Sequence, residues 1–189
     1  MRHSGRSYEA LAAQYGHRRP QQLFHSALHV RVGAASFVVE MTPAWGRNPA
    51  ARGVVCEGAV GSRLLGRSRL FRYEVRRWQG GEIGDVAAAI GGSRRLSSNP
   101  DEAHRVLELV AHVPPATWGR DEQHLGDMWN SNSLVSWLLA RTGHDLSTLA
   151  PPQGGRAPGW AAGLALAERH AVESRPGLDT WTSPSVARA

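Results

Sequence analysis

The strongest constraint on the fold is the alternation of apolar and polar residues that runs through Leu23-Phe24-His25-Ser26-Ala27-Leu28-His29-Val30-Arg31-Val32. A period of two requires an extended strand with two unlike faces. Phe24, Leu28, Val30 and Val32 fall on one face, and His25, Ala27, His29 and Arg31 on the other. Gly33-Ala34-Ala35 supplies a turn, and Ser36-Phe37-Val38-Val39-Glu40-Met41 a second strand, so the segment predicts a β-hairpin. Pro43 and Gly46-Arg47-Asn48-Pro49 end it.

Further strands are expected over 53–60 and 70–78, the latter with Phe71, Tyr73 and Val75 on one face. A short helix is expected over 82–90. A second helix begins at Asn99-Pro100-Asp101-Glu102, which combines a cap residue, proline at the first helical position and acids opposing the dipole. Val106, Leu107, Leu109, Val110 and Val113 form its apolar stripe. After a loop over 114–128, a helix is expected from Ser131 to Arg141, with Leu134, Val135, Leu138 and Leu139 buried and Gly143 as its stop. Pro151-Pro152-Gln153-Gly154-Gly155 reads as a turn-rich connector, and a last helix is expected over 161–172.

Strands followed by helices predict an α+β domain with a small antiparallel sheet over residues 22–172. It would be flanked by a basic N-terminal arm, 1–21, with a short helical possibility at Tyr8–Tyr15, and by an unstructured tail, 173–189. A chain of 189 residues is long enough to bury a core without disulfides or metal. The first twenty residues hold Arg2, Arg6, Arg18 and Arg19 but no apolar core segment, so no secretory signal is expected. No window approaches a membrane span. The expected location is cytoplasmic.

The charge of +6 comes entirely from arginine, for the chain contains no lysine. The arginines are scattered, with short pairs at Arg18-Arg19, Arg76-Arg77 and Arg94-Arg95, and not gathered into an aromatic-lined stripe. Composition therefore argues against, without excluding, a nucleic-acid-associated protein. Phosphate-loop and dinucleotide motifs are absent. The single cysteine, Cys56, excludes an intramolecular disulfide and sits mid-strand as a small buried residue. His25 and His29 lie about 13 Å apart on an extended strand, too far to chelate one metal without distant ligands such as Glu40 and His124. No metal or cofactor is expected.

The remaining constellation is nucleophilic. In Asn130-Ser131-Asn132-Ser133, Ser131 stands where a loop enters a helix, where backbone N–H groups and the positive dipole end favour an oxyanion. Taken alone, the same four residues read first as an ordinary helix cap, and only the combination with His25 and Glu40 raises the nucleophile reading. A serine nucleophile requires a base, usually histidine, held by a third polar group. A three-residue hairpin turn would bring His25 and Glu40 to neighbouring positions on one sheet face.

Three segments in this order resemble the circularly permuted papain-like superfamily, the NlpC-type hydrolases with their lecithin:retinol acyltransferase-like, PPPDE-type and YiiX-type members. His25-Ser26-Ala27-Leu28-His29-Val30 resembles the histidine strand, Val38-Val39-Glu40-Met41 the strand of the third residue, and Asn130-Ser131-Asn132-Ser133-Leu134-Val135 the nucleophile helix. Serine stands where that superfamily carries cysteine. The resemblance implies an amide or ester hydrolase, or an acyltransferase, with Ser131 as nucleophile, His25 as base and Glu40 as orienting group. Backbone N–H groups near Ser131–Ser133 would serve the oxyanion. Asn130, Asn132, Ser133, Trp129, Trp160 and Arg120 are the expected substrate contacts, and the substrate would be a small molecule, peptide or lipid. The alternative is an inactive binding module on the same fold.

Overall fold

A computed structural model describes residues 22–44, 50–83, 92–122 and 124–173. The expected arm, most of the tail and nearly all of the 82–90 helix lie outside the described residues. Among the described residues there are six strands: β1 (Gln22–Leu23), β2 (Leu28–Val32), β3 (Ala35–Pro43), β4 (Val54–Ala59), β5 (Arg72–Gln79) and β6 (Gly155–Arg156). The α-helices are α1 (Pro100–Leu109), α2 (Ser131–Arg141) and α3 (Trp160–Glu173). The architecture is α+β, with an antiparallel sheet ordered β2-β3-β5-β4 and a separate parallel pair, β1-β6. No helix among the described residues is long and apolar enough to cross a membrane.

The hairpin forms with a tighter turn than expected. Val32 pairs with Ala35, leaving a two-residue turn with Gly33 at a φ of 57°, which a β-carbon disfavours. The ladder ends at Leu28, opposite Val39. Residues 24–27 are therefore not strand, and the expected single strand from Leu23 divides into β1 and β2. The divided piece joins β6, inside the segment read as a turn-rich connector. In the interior of the sheet, β5 starts at Arg72, one residue after Phe71, which closes a 3-10 turn.

One sheet face builds the core. Val39 and Met41 of β3 and Tyr73 and Val75 of β5 pack with Val106, Leu107 and Val110 near α1 and with Leu134, Trp137 and Leu138 of α2. Asn99 accepts a hydrogen bond from the Asp101 amide, with Pro100 in the first turn, as the sequence predicts for the start of α1. The end of α2 is closed by Gly143 and His144, whose amides return to Ala140 and Leu139.

Pleating sends Glu40, Glu74 and Arg76 to the opposite face. Arg52 clasps the Glu74 carboxylate with two 3.0 Å hydrogen bonds, Arg76 adds one of 2.6 Å, and Arg76 also reaches Glu40 at 3.1 Å. Glu74 is 1% exposed. Burial alone would push its carboxyl up, but hydrogen bonds from Arg52 and Arg76, aided by both charges, hold it below the usual carboxylate range.

Deleting the charge takes from Arg52 and Arg76 the buried carboxylate that both clasp and leaves Arg76 only Glu40, so Glu74→Gln is expected to cost about 3 kcal/mol near neutrality. Because the folded state favours the carboxylate, the stabilisation is complete above the ordinary value of 4.5 and is lost as pH falls through the lower folded value. Urea unfolding of both proteins along an acid pH series checks this. The acid-side loss of stability should be shallower in the variant.

Candidate active site

The start of α2 is buried: Asn130 is 8% exposed, Ser131 4%, Asn132 2% and Ser133 0%. Polar groups at such depth need partners, and the sequence supplies them locally. The Asn130 side chain accepts from the amides of Asn132 (2.8 Å) and Ser133 (3.4 Å), while the Ser133 hydroxyl accepts from the Asn130 amide at 3.0 Å. This reciprocal capping box satisfies three backbone donors.

The same side chains then reach across the fold. Asn130 donates through Nδ2 to the Pro158 carbonyl at 2.8 Å, and the Ser133 hydroxyl lies 2.7 Å from the Gly159 carbonyl. Asn132 Nδ2 meets two carbonyls, Pro158 at 2.8 Å and Phe24 at 2.9 Å. Phe24 is held from its other side as well, its amide donating to Arg156 at 2.8 Å. The residue that follows this doubly tethered one is His25.

His25 Nδ1 consequently lies 2.6 Å from Ser131 Oγ, although 106 residues separate them. The imidazole is exposed and the serine nearly buried. Asn132 and Ser133 have their amides occupied by the cap, and the amide of Ser131 itself makes no hydrogen bond among the described residues. Among the amides at this helix start it is the one the cap leaves open.

Glu40 is not brought to this pair. It lies between Val39 and Met41, whose side chains enter the core beside α2, and its own carboxylate is turned to Arg76 on the other sheet face. His25 stands in the connector between β1 and β2 and not on a strand, which removes the expected cross-strand proximity. His29 is exposed and meets Ser36 Oγ at 2.6 Å across the hairpin.

The expected substrate contacts divide. Asn130, Asn132 and Ser133 direct their polar atoms into the protein, and Trp129 is 2% exposed within the core. Trp160 is half-buried at the start of α3, and Arg120 is exposed, lining a cleft of about 210 Å³ with Ser62, Arg63, Thr117 and Glu122. Cys56, the free cysteine on β4, is half-buried. Burial pushes its thiol up and Glu57 adds to the effect.

Two supports of the site were not anticipated. Asp127 accepts from the amides of Gly159 (2.6 Å) and Ala161 (3.2 Å), fixing the loop whose carbonyls receive Asn130 and Asn132. Its sequence signal is an acid near the end of a loop, too common to be singled out. Gly163 of α3 lies against the first turns of α2, where an added β-carbon would collide with Ser136 Oγ and the Ser133 carbonyl. Comparison with protein-family models, curated proteins and solved structures finds no match to this chain.

Gly163→Ala is expected to destabilise the protein by about 1–3 kcal/mol, the usual range for overpacking, against the small gain alanine normally brings to a helix interior. Urea unfolding measures the sign, and an unchanged or raised midpoint would contradict the tight α2–α3 contact.

Proposed function

We propose that the chain is an acyl-transfer enzyme, an amide or ester hydrolase or an acyltransferase, with Ser131 as nucleophile and His25 as its base, on a permuted papain-like arrangement. The observation that carries the reading is the 2.6 Å approach of His25 Nδ1 to Ser131 Oγ. Hydroxyl and base are then within proton-transfer distance at a helix start. The order of histidine first and nucleophile helix later supports the arrangement.

For His25 to act, Nδ1 is unprotonated and Nε2 carries the proton. Ser131 Oγ attacks the carbonyl carbon as its proton passes to Nδ1, and the oxyanion forms beside the Ser131 amide. His25 returns the proton to the leaving amine or alcohol as the C–N or C–O bond breaks. Water in a hydrolase, or an acceptor hydroxyl or amine in a transferase, then releases the acyl group with His25 again taking the proton. Glu40 has no part in this scheme. Asn132 is a positioning residue, acting through the Phe24 carbonyl.

A fluorophosphonate probe tests the reading without knowledge of the substrate. The expected result is one adduct on Ser131, found by mass spectrometry, absent in Ser131→Ala and formed about 10²–10⁴-fold more slowly in His25→Ala, the usual contribution of a positioned base. Glu40→Gln should label like the parent. Asn132→Asp, which removes the two donated hydrogen bonds, should slow labelling by at least about tenfold. A folded parent that forms no adduct would sink the proposal.

The 4% exposure of Ser131 favours a second reading, in which the His25–Ser131 bond is one more tie in the polar lattice and the domain binds without turnover. Ser131→Cys separates the two. If the pair is a working nucleophile and base, the introduced thiol reacts with iodoacetamide faster than Cys56 and loses that advantage when His25 is also replaced by alanine.

A further inference from the structure

The segment between β4 and β5 is ordered yet turns its apolar side chains outward. Two 3-10 turns, Leu65–Arg67 and Arg69–Phe71, are built from the segment's own backbone hydrogen bonds: Gly66 to Ser62, Ser68 to Leu65 and Phe71 to Ser68. Leu64 is 72% exposed, Leu65 45%, Leu70 75% and Phe71 42%. Four of the seven large hydrophobic residues exposed among the described residues thus fall within eight consecutive positions. Scattered surface leucines are ordinary, whereas a cluster of this kind marks an interaction site.

The charge around the cluster selects the partner. The stretch Arg63-Leu64-Leu65-Gly66-Arg67-Ser68-Arg69-Leu70-Phe71-Arg72 contains four arginines and no acid. Arg63 is 84% exposed, and its ion pair with Glu122 spans 3.5 Å. Arg67 has no partner among the described residues. Arg72 pairs with Glu57 at 2.9 Å. Exposed apolar side chains interspersed with arginines suit the headgroup boundary of an anionic bilayer, where leucine and phenylalanine enter the acyl region and arginine meets phosphate. A protein partner would more often be met by an apolar centre with a charge-poor core.

The loop also sits close in the fold to the start of α2. Val60 forms a parallel bridge with Trp118, and Gly119 and Arg120 exchange backbone hydrogen bonds with Trp129, two residues before Ser131. The 210 Å³ cleft containing Arg63 and Arg120 opens at the root of the loop. We infer that residues 63–72 form a peripheral docking surface for anionic lipid membranes, inserting Leu64, Leu65, Leu70 and Phe71 from among the interspersed arginines. The surface is independent of turnover at Ser131.

Vesicle sedimentation with the full chain tests it. The expected result is binding to phosphatidylcholine vesicles containing about 30% phosphatidylserine, weak binding to phosphatidylcholine alone, and loss of binding as salt rises. Leu64→Glu with Leu70→Glu should reduce partition at least about tenfold, and Arg67→Gln about fivefold. Both sites are exposed, so thermal unfolding of each variant should match the parent. Binding that ignores the leucine substitutions, equal binding to neutral vesicles, or no binding at all would overturn the inference. So would a dimer in analytical ultracentrifugation that Leu64→Glu with Leu70→Glu dissolves, since the cluster would then face a second copy of the chain.

Discussion

A helix that begins inside a protein has to satisfy its first amides without water, and α2 begins at a residue that is 4% exposed. The solution adopted here draws in three distant parts of the chain. Asn130 and Ser133 close the cap on each other, and their remaining atoms turn to Pro158 and Gly159 ahead of α3. Asn132 continues the network to Phe24. Capping, a local requirement of helix geometry, has thereby become the tertiary link that fixes where β1, α2 and α3 meet.

That link explains why His25 and Ser131 meet at all. Neither residue is on a regular strand or in a helix interior, where packing of an apolar stripe would set its place. Phe24 is instead pinned by Arg156 through its amide and by Asn132 through its carbonyl, and the next side chain has little freedom to miss the helix start. The position of His25 is thus set in part by backbone hydrogen bonds of the residue before it. The reading of Ser131 as part of a cap and the reading of it as a nucleophile consequently describe one arrangement. The cap occupies the amides of Asn132 and Ser133 and leaves the amide of Ser131, the one nearest its own hydroxyl.

The legible parts of the sequence were those written in local chemistry. Asn99-Pro100 and Asn130 announced helix starts, the Leu134-Val135-Leu138-Leu139 stripe announced a buried face, and Gly143 its end. His25 and Glu40 part because the ladder ends before it reaches His25. A two-residue turn pairs Leu28 with Val39, and the position that would face Glu40, Ala27, lies past the end of the ladder. Beyond it the chain leaves for β6, a two-residue parallel pairing with Gly155–Arg156 that no periodicity in either short segment could signal. Glu40 instead pairs with Arg76 at 3.1 Å, on the sheet face away from Met41. Phe71 was assigned to the core face of β5 by the same alternation, and the 3-10 turn before Arg72 breaks the period one residue too soon.

The two sheet faces illustrate how differently polar groups can be buried. On one, Arg52, Glu74, Arg76 and Glu40 neutralise each other by charge, an arrangement whose removal in part is costly but whose net contribution is small. On the other side of the core, most polar groups at the start of α2 are met by neutral amides and hydroxyls, with Asn132 Oδ1 left without a hydrogen bond among the described residues. Charge networks tolerate displacement because Coulomb attraction falls slowly with distance. Hydrogen bonds from Asn130, Asn132 and Ser133 fail within a few tenths of an ångström. The 2.6 Å contact between His25 and Ser131 is a single short distance, and neighbours of the second kind hold such a distance more firmly than a charge network does.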